Sequence, residues 1–381
     1  MSAARPWTVF ARPAEATPSA PLEAPGRRRG GAGSGRHLYL SPALRADRSG
    51  EVIGERYELV ERLGSGGMSE VYRARFLATR RTVALKLLDP IFAGEPEMIW
   101  RFRHEFLILA NLEHPHLVRA HDMAITGAGE PYFTMEWIRG GSLEELLRRR
   151  ARLDPAAAVA LGRQLCGALA ALHARGVIHR DVKPGNVLLE DAGPGGPRIK
   201  LCDLGIAKIT AHYYLDTTLY MTPPAERLHT GRAMVLGTPG YLPPEAGEVA
   251  VDPRADVYAL GVLLYRAVTG RMPHAAPHGA AQGDPPRRFA ALDLEALPPA
   301  DLEEVILAAL APASARYQTI AEVDEALASL AIAPTIGWGV DLPRGGKARR
   351  SRARRRRRAP GRPTRRCPNG PVLQDMDDRR R

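Results

Sequence analysis

Residues 178–186 read Ile178-His179-Arg180-Asp181-Val182-Lys183-Pro184-Gly185-Asn186. An acid, a cation and an amide fall within six positions, with Val177 and Ile178 before them and Val187, Leu188 and Leu189 after. Apolar brackets of this kind anchor a loop in a core while its polar middle faces a cleft. Seventeen residues beyond Asn186, past the strand-like Ile199-Lys200-Leu201-Cys202, stands Asp203-Leu204-Gly205. A carboxylate just past a buried strand, followed by glycine, suits a metal ligand on a tight turn. Asp181, Asn186 and Asp203 together form an oxygen-donor set able to hold a divalent cation and orient a hydroxyl. Phosphoryl transfer needs that chemistry: positioning and charge neutralisation, with little covalent work by the protein.

The same residues resemble a known family. His179-Arg180-Asp181, four residues and Asn186, then Asp203-Leu204-Gly205, resemble the catalytic loop and metal-binding triplet of protein kinases. Asp181-Val182-Lys183-Pro184 has the Ser/Thr form rather than the Tyr form. The resemblance implies an α+β, bilobal fold with a small antiparallel-sheet lobe and a larger helical lobe. It implies ATP with Mg²⁺ (or Mn²⁺) in the cleft, Asp181 at the substrate hydroxyl, Lys183 at the transferring phosphoryl, and Asn186 and Asp203 as metal ligands.

Upstream, Tyr57-Glu58-Leu59-Val60-Glu61-Arg62-Leu63 alternates in part, as a strand does. Gly64-Ser65-Gly66-Gly67-Met68-Ser69-Glu70-Val71 follows; its glycines let backbone approach a phosphate without interference from Cβ. This resembles the kinase Gly-rich loop, with Ser69 in place of the third glycine. Thr82-Val83-Ala84-Leu85-Lys86-Leu87-Leu88 is an apolar strand carrying one lysine, which burial makes costly unless it is paired. Met98, Phe102, Leu109 and Leu112 form a stripe at helical spacing, and Glu105 lies on it. A carboxylate on a buried face calls for a cation, and Lys86 is the expected partner rather than Arg101 or solvent. Pro131 to Ile138 reads as a buried strand running into a connector, which by resemblance is the hinge. The resemblance places the nucleotide against Leu63, Gly64, Ser65, Gly66, Gly67, Met68, Ser69, Val71, Ala84, Lys86, Glu105, Met135, Glu136, Ile138 and Asp203. Lys86 would hold the α/β-phosphates, and backbone groups of Glu136 and Ile138 would bond adenine.

Downstream, Ser142 is placed to cap a helix with Glu144 and Glu145 in its first turn. Asp154-Pro155 opens a longer helix with Leu161, Leu165, Leu169 and Leu172 on one stripe. Residues 206–236 hold five threonines and three tyrosines with no clean period; by resemblance they are the activation segment. Gly237-Thr238-Pro239-Gly240-Tyr241-Leu242-Pro243-Pro244-Glu245 closes it, with Pro243 where the family has alanine. The resemblance implies that Thr238 contacts Asp181 and Lys183, that Glu245 pairs with Arg316, and that Asp256 accepts bonds from the catalytic-loop backbone. Residues 252–265 begin Asp-Pro and run apolar almost all round, as a buried helix does. Residues 273–290 are poorly helical, and helices near 300–311 and 319–331 complete the domain.

The expected organisation is a disordered Pro/Gly/Arg-rich segment over 1–54 and a kinase domain over 55–332. The small lobe spans about 55–138 and the large lobe about 139–332; an Arg-rich disordered tail covers 333–381. Net charge is +12, yet residues 344–381 alone carry +13, so a pI near 10 describes the tail and not the domain. The tail suits nonspecific contact with nucleic acid or an anionic surface through counterion release. Three scattered cysteines, Cys166, Cys202 and Cys367, fit a reducing, cytoplasmic setting. No apolar run of 18 residues suggests a membrane span, and no signal pattern opens the chain. The expected partners are protein substrates and the chain itself, by autophosphorylation. An ATP-binding scaffold without transfer, and a nucleic-acid-associated protein acting through the tail, are the alternative readings. Intact Lys86, Asp181, Asn186 and Asp203 speak against the first.

Overall fold

Alternating side chains and a glycine turn fold residues 57–76 into two antiparallel strands, β2 (Tyr57–Ser65) and β3 (Ser69–Phe76). A computed structural model gives the architecture and describes residues 46–191, 196–205, 238–246, 252–275, 284–332 and 338. The elements below lie in the unit that begins at Asp47. β1 (Val52–Ile53), β4 (Thr82–Leu88), β5 (Ala120–Ile125) and β6 (Pro131–Met135) complete an antiparallel sheet in the order β1-β2-β3-β4-β6-β5. β4 is buried on both faces, which its unbroken apolar run requires.

Cross-strand register decides what each face carries. Val71 lies opposite Lys86, Ala84 opposite Met135, and Lys86 opposite Phe133, so these residues share one face. That face packs on α1 (Pro96–Asn111) and continues into the main core. The opposite face holds a second core of Ile53, Tyr57, Leu59, Tyr72, Leu85, Leu87 and Tyr132. Its rim is closed by polar contacts. Arg48 makes a two-pronged bond to Glu130 (3.0 and 3.2 Å), and Arg56 reaches Asp122 at 2.7 Å. Order therefore begins before residue 54, the expected boundary: β1 and Arg48 belong to the domain. Two apolar residues between charges carry no readable period, and β1 forms because the edge of β2 offers it a partner.

The larger lobe is helical. α2 (Leu143–Arg150) starts with a capping box in which Ser142 and Glu145 bond reciprocally, each at 3.2 Å. α3 (Pro155–His173) is capped by Asp154 and buries Leu161, Leu165, Leu169 and Leu172. Among the described residues it alone is long and apolar enough to cross a membrane, and its leucines are spent on the core. The hairpin β7 (Val187–Glu190) and β8 (Arg198–Leu201) follows the catalytic loop. α4 (Arg254–Thr269) is buried nearly all round, and Gly261 lets α5 (Ala300–Ala309) approach: a Cβ there would meet that of Ala309 at 2.9 Å. α6 (Ile320–Ala328) packs on α3. Residues 284–288 form neither helix nor strand and Phe289–Ala291 is a single 3-10 turn, in keeping with the poor helical pattern there; 276–283 lie outside the described residues.

One further residue corrects the expected organisation. Trp338, placed by sequence in the tail, is only 4% exposed and belongs to the main core. It seats on Gly196, where a Cβ would stand 2.7 Å from the indole, and its carbonyl accepts from Arg150 at 3.4 Å. Gly196 has φ +92°, so both its backbone and the indole exclude a side chain there. Trp338→Ala is expected to destabilise the domain by about 3 kcal/mol, the low end for a buried aromatic. Urea unfolding of the variant and of a chain ending at residue 343 checks this: the truncation should keep wild-type stability, and an unchanged midpoint for Trp338→Ala would refute the anchor.

Candidate active site

Two side-chain clusters meet at the catalytic stretch. In the first, Lys86 Nζ lies 2.6 Å from Glu105 Oε1 and 2.5 Å from Asp203 Oδ1. α1 presents Glu105 on its buried stripe with Phe102 and Leu109, while Arg101 bonds Glu97 instead. Burial opposes the Lys86 charge, but Asp203 and Glu105 outweigh it and hold the ammonium above its ordinary pKa. Burial pushes the Glu105 carboxyl up, to about 7, against the pull of Lys86. Asp203 keeps 49% of its side-chain surface accessible. Burial raises its pKa, but the charge and hydrogen bond of Lys86, with the charge of Lys183, outweigh it together, so the carboxyl stays below its ordinary range. Its backbone is left-handed, φ 60°, which turns the carboxylate out of the line of β8.

In the second cluster Asp181 is the hub. Its Oδ2 accepts from Lys183 Nζ at 2.7 Å and Asn186 Nδ2 at 3.0 Å, and its Oδ1 accepts from Thr238 Oγ1 at 2.9 Å. Lys183 also donates to Thr238 Oγ1 at 2.9 Å. Asn186 Nδ2 bonds the Asp181 carbonyl as well, at 2.9 Å, which leaves Oδ1 as the side-chain acceptor of Asn186. The β7–β8 hairpin sets Asn186 beside Asp203: Cys202 N–H donates to the Asn186 carbonyl at 2.9 Å. The Cys202 thiol donates to that same carbonyl, and burial pushes its pKa well up, so it is a packing residue and not a reactive thiolate.

The loop is held from beneath by Asp256, the first-turn acid of α4. Its carboxylate accepts from His179 N, Arg180 N and His173 Nε2, all at 2.8 Å. His179 is buried, and burial lowers its pKa; its Nε2 faces the Cys202 carbonyl and its Nδ1 accepts from Asp181 N. Glu245 and Arg316 form a two-pronged pair at 2.7 and 3.1 Å, with the Arg316 guanidinium over the Tyr258 ring. The expected contacts of Lys86, Glu105, Thr238, Glu245, Arg316 and Asp256 are thus all present.

Above these clusters, Gly64 and Ser65 end β2, Gly66, Gly67 and Met68 make the turn and Ser69 opens β3, with Gly66 N–H donating to the Ser69 carbonyl at 2.8 Å. Among the described residues, nothing lies within 4 Å of where a Cβ on Gly64 or Gly67 would sit, so protein packing does not demand glycine there. A ligand that needs close backbone approach does. Leu63 sits at a register shift and is exposed, while Val71, Ala84 and Met135 line the Lys86 face of the sheet. Ile138 is buried and Glu136 bonds Lys200 and the Arg119 backbone. Residues 206–237, with Thr210, Thr217, Thr218, Thr222, Thr230 and the three tyrosines, lie outside the described residues.

The residues fit a magnesium-type site. Among the described residues no cluster of three or more His, Cys, Asp or Glu side chains forms a cage. Asp203 and Asn186 Oδ1 offer hard oxygens only, the pattern of an ion that keeps water and phosphate ligands.

The sequence profile of the family described as "protein kinase domain" matches residues 57–290. The chain belongs to the protein kinase family. This kinase domain is 38% identical over 223 residues to the serine/threonine-protein kinase PknL of Mycobacterium tuberculosis (strain CDC 1551 / Oshkosh), covering 58% of this chain and 51% of the relative. It is 37% identical over 286 residues to PknB of Mycobacterium leprae (strain TN), covering 71% of this chain and 42% of the relative. The chain thus matches about half the length of these curated relatives or less. Among solved structures, the kinase domain of Mycobacterium tuberculosis PknI, as a single-site mutant, superposes with a TM-score of 0.53 at 27% identity. That match covers 74% of this chain and 98% of PknI's. The bilobal kinase architecture follows from the sheet, the helical lobe and this likeness.

Three partners escaped the sequence. His173 is the third donor on Asp256; Lys200 pairs with Glu136; and Glu144 bonds Arg266 at 2.7 Å through both oxygens, beside Tyr241. His173, the last residue of its helix, carried a local signal as a polar side chain ending an apolar stripe, and Lys200 carried one as a lysine within an apolar strand.

Proposed function

We propose that the chain is an ATP-dependent Ser/Thr protein kinase that transfers the γ-phosphate to protein hydroxyls and autophosphorylates its activation segment. The observation that carries this reading is the Asp181 hub. A carboxylate with one oxygen on Lys183 and Asn186, and the other already receiving a threonine hydroxyl, is built to receive a substrate hydroxyl. Oδ1 has a second acceptor site beside Thr238. A substrate Ser or Thr bonded there passes its proton to Asp181 as its oxygen attacks. Lys183 Nζ sits between Asp181 and Thr238, ready to stabilise charge on the moving phosphoryl. Lys86, fixed by Glu105, would hold the α/β-phosphates, and the Gly64–Gly67 turn would cover them. Asn186 and Asp203 would hold Mg²⁺, which when bound neutralises phosphate charge.

Protein substrates and the chain's own threonines are the proposed partners, in the cytoplasm. Ser142 and Gly185 stand where many basophilic kinases of this family carry acids, so a strong basic preference is not expected. Ile206, just past the metal triplet, supports a preference for Thr over Ser by family resemblance. The Arg-rich tail adds affinity for anionic surfaces. Incubation with labelled ATP and Mg²⁺, followed by mass spectrometry, tests the reading. Label on threonines between 210 and 230, and several-fold faster transfer to Thr than to Ser in matched peptides, are expected. ATP binding without transfer, even after phosphorylation by another kinase, would overturn it.

A further inference from the structure

Among the described residues two lysines are buried, Lys86 and Lys200. The chemistry above accounts for the first and leaves the second idle. Lys200 is 9% exposed and lies in β8, three residues before Asp203 and directly across from Leu188. Taking an ammonium out of water costs several kcal/mol unless its bonds offset that cost.

The bonds of Lys200 run to two other segments. Nζ donates to Glu136 Oε1 at 2.8 Å and to the Leu117 carbonyl at 3.3 Å. Glu136 Oε1 also accepts from Arg119 N–H at 2.9 Å, and Glu136 N–H donates to the Arg119 carbonyl at 3.0 Å. The run 116–119 is in turn stitched to β8: Leu201 N–H to the His116 carbonyl at 2.9 Å, and Val118 N–H to the Leu201 carbonyl at 3.0 Å. Three segments therefore meet at one ammonium. One is the connector that begins with Glu136, one is the 116–119 run, and one is the strand that delivers Asp203.

We propose that Lys200 is a positioning residue for the nucleotide base: through Glu136 it fixes the connector against β8, so that the backbone groups of Glu136 and Ile138 stand ready for adenine. This rests on the reading of residues 135–138 as the adenine-binding connector. The phosphate end has its own support, since Lys86 is held by Glu105 and Asp203 without Lys200. Loss of the Lys200–Glu136 bond thus loosens the base end alone. Such a defect weakens ground-state and transition-state binding equally, which raises KM and spares kcat.

The test uses the full chain and its Lys200→Met, Lys200→Arg, Glu136→Gln and doubly substituted Lys200→Met/Glu136→Gln forms. Steady-state transfer gives KM for ATP and kcat, and competition by adenosine and by inorganic tripolyphosphate probes the two ends separately. Lys200→Met is expected to raise KM for ATP and the adenosine inhibition constant about tenfold, with kcat within about twofold and tripolyphosphate inhibition unchanged. Lys200→Arg should recover most of the loss, and the double form should be no worse than the worse single one. Glu136→Gln keeps the question open to refutation if Lys200→Met folds poorly. Unchanged KM in both single variants, or a fall in kcat at constant KM, would overturn the proposal. If the wild-type chain binds ATP no better than tripolyphosphate and adenosine not at all, the reading of the connector falls, and this inference with it.

Discussion

Asp181→Asn is expected to slow phosphate transfer about 10³-fold, within the span attributed to a positioned general base, while nucleotide binding and stability stay near wild type. The geometry explains the separation. An asparagine can turn its oxygen toward Lys183 and Asn186, which need an acceptor, and its NH₂ toward Thr238, whose hydroxyl can rotate to accept. The internal network survives. The substrate hydroxyl, however, then meets an N–H donor where it needs an acceptor, and no group remains to take its proton. Single-turnover transfer from labelled ATP, beside calorimetric ATP binding, measures both halves. A fall of less than tenfold would mean that Asp181 is not the base. Loss of ATP binding as well would mean that the substitution disturbed the cleft instead.

What the sequence made legible follows a physical division. Lys86 pairs with Glu105 on the sequence alone because each is a charge on a buried pattern, one in an apolar strand and one on a helical stripe. Burial forces such charges to find each other. The Asp181, Asn186 and Asp203 set was readable because its spacing is local, with the paired strands β7 and β8 between Asn186 and Asp203. Lys200 met the first rule only halfway. It stands in a stretch read as a buried strand, but Glu136, 64 residues away on the connector, lies on no helical stripe that would name it as the partner. His173 ends its helix as a polar residue that looks solvated, although Asp256 takes it inward. Trp338 failed for a third reason. Composition assigns a Gly/Pro/Arg-rich stretch to the solvent as a whole, yet one indole needs only one slot. That slot depends on Gly196, whose missing side chain reads as an ordinary turn. Period and composition describe segments, whereas these contacts belong to single residues brought together by the tertiary fold.

Asp256→Ala is expected to cost about 3–5 kcal/mol of stability, because it takes the acceptor from two buried backbone donors and a histidine, at about 1–3 kcal/mol for each buried donor so deprived. The Asp256 side chain has no exposed surface, and three donors converge on it. Alanine leaves the His179 and Arg180 amides unpaired in a place that water does not readily reach, and each such group carries its own desolvation cost. Asparagine does not repair this. Arg180 N bonds one carboxylate oxygen and His179 N the other, so an amide must present its NH₂ to one of the two backbone donors. Asp256→Asn should therefore fall between wild type and alanine, at roughly 2 kcal/mol. His173→Ala removes one donor, leaves both backbone bonds intact, and should cost about 1 kcal/mol. The loop responds in activity as well. Arg180 is held at φ 67°, a backbone state that arginine rarely adopts, and the two Asp256 bonds fix its own amide and the one before it. Released, residues 179–181 relax and carry Asp181 off its mark, and a displacement near 1 Å is enough to slow transfer about 10²-fold. KM for ATP should hold, because Lys86, Glu105 and the Gly-rich turn are untouched. Urea unfolding of the three variants, paired with kcat and KM, tests the ordering. An Asp256→Ala protein within 1 kcal/mol of wild type would show that the catalytic loop keeps its shape without Asp256.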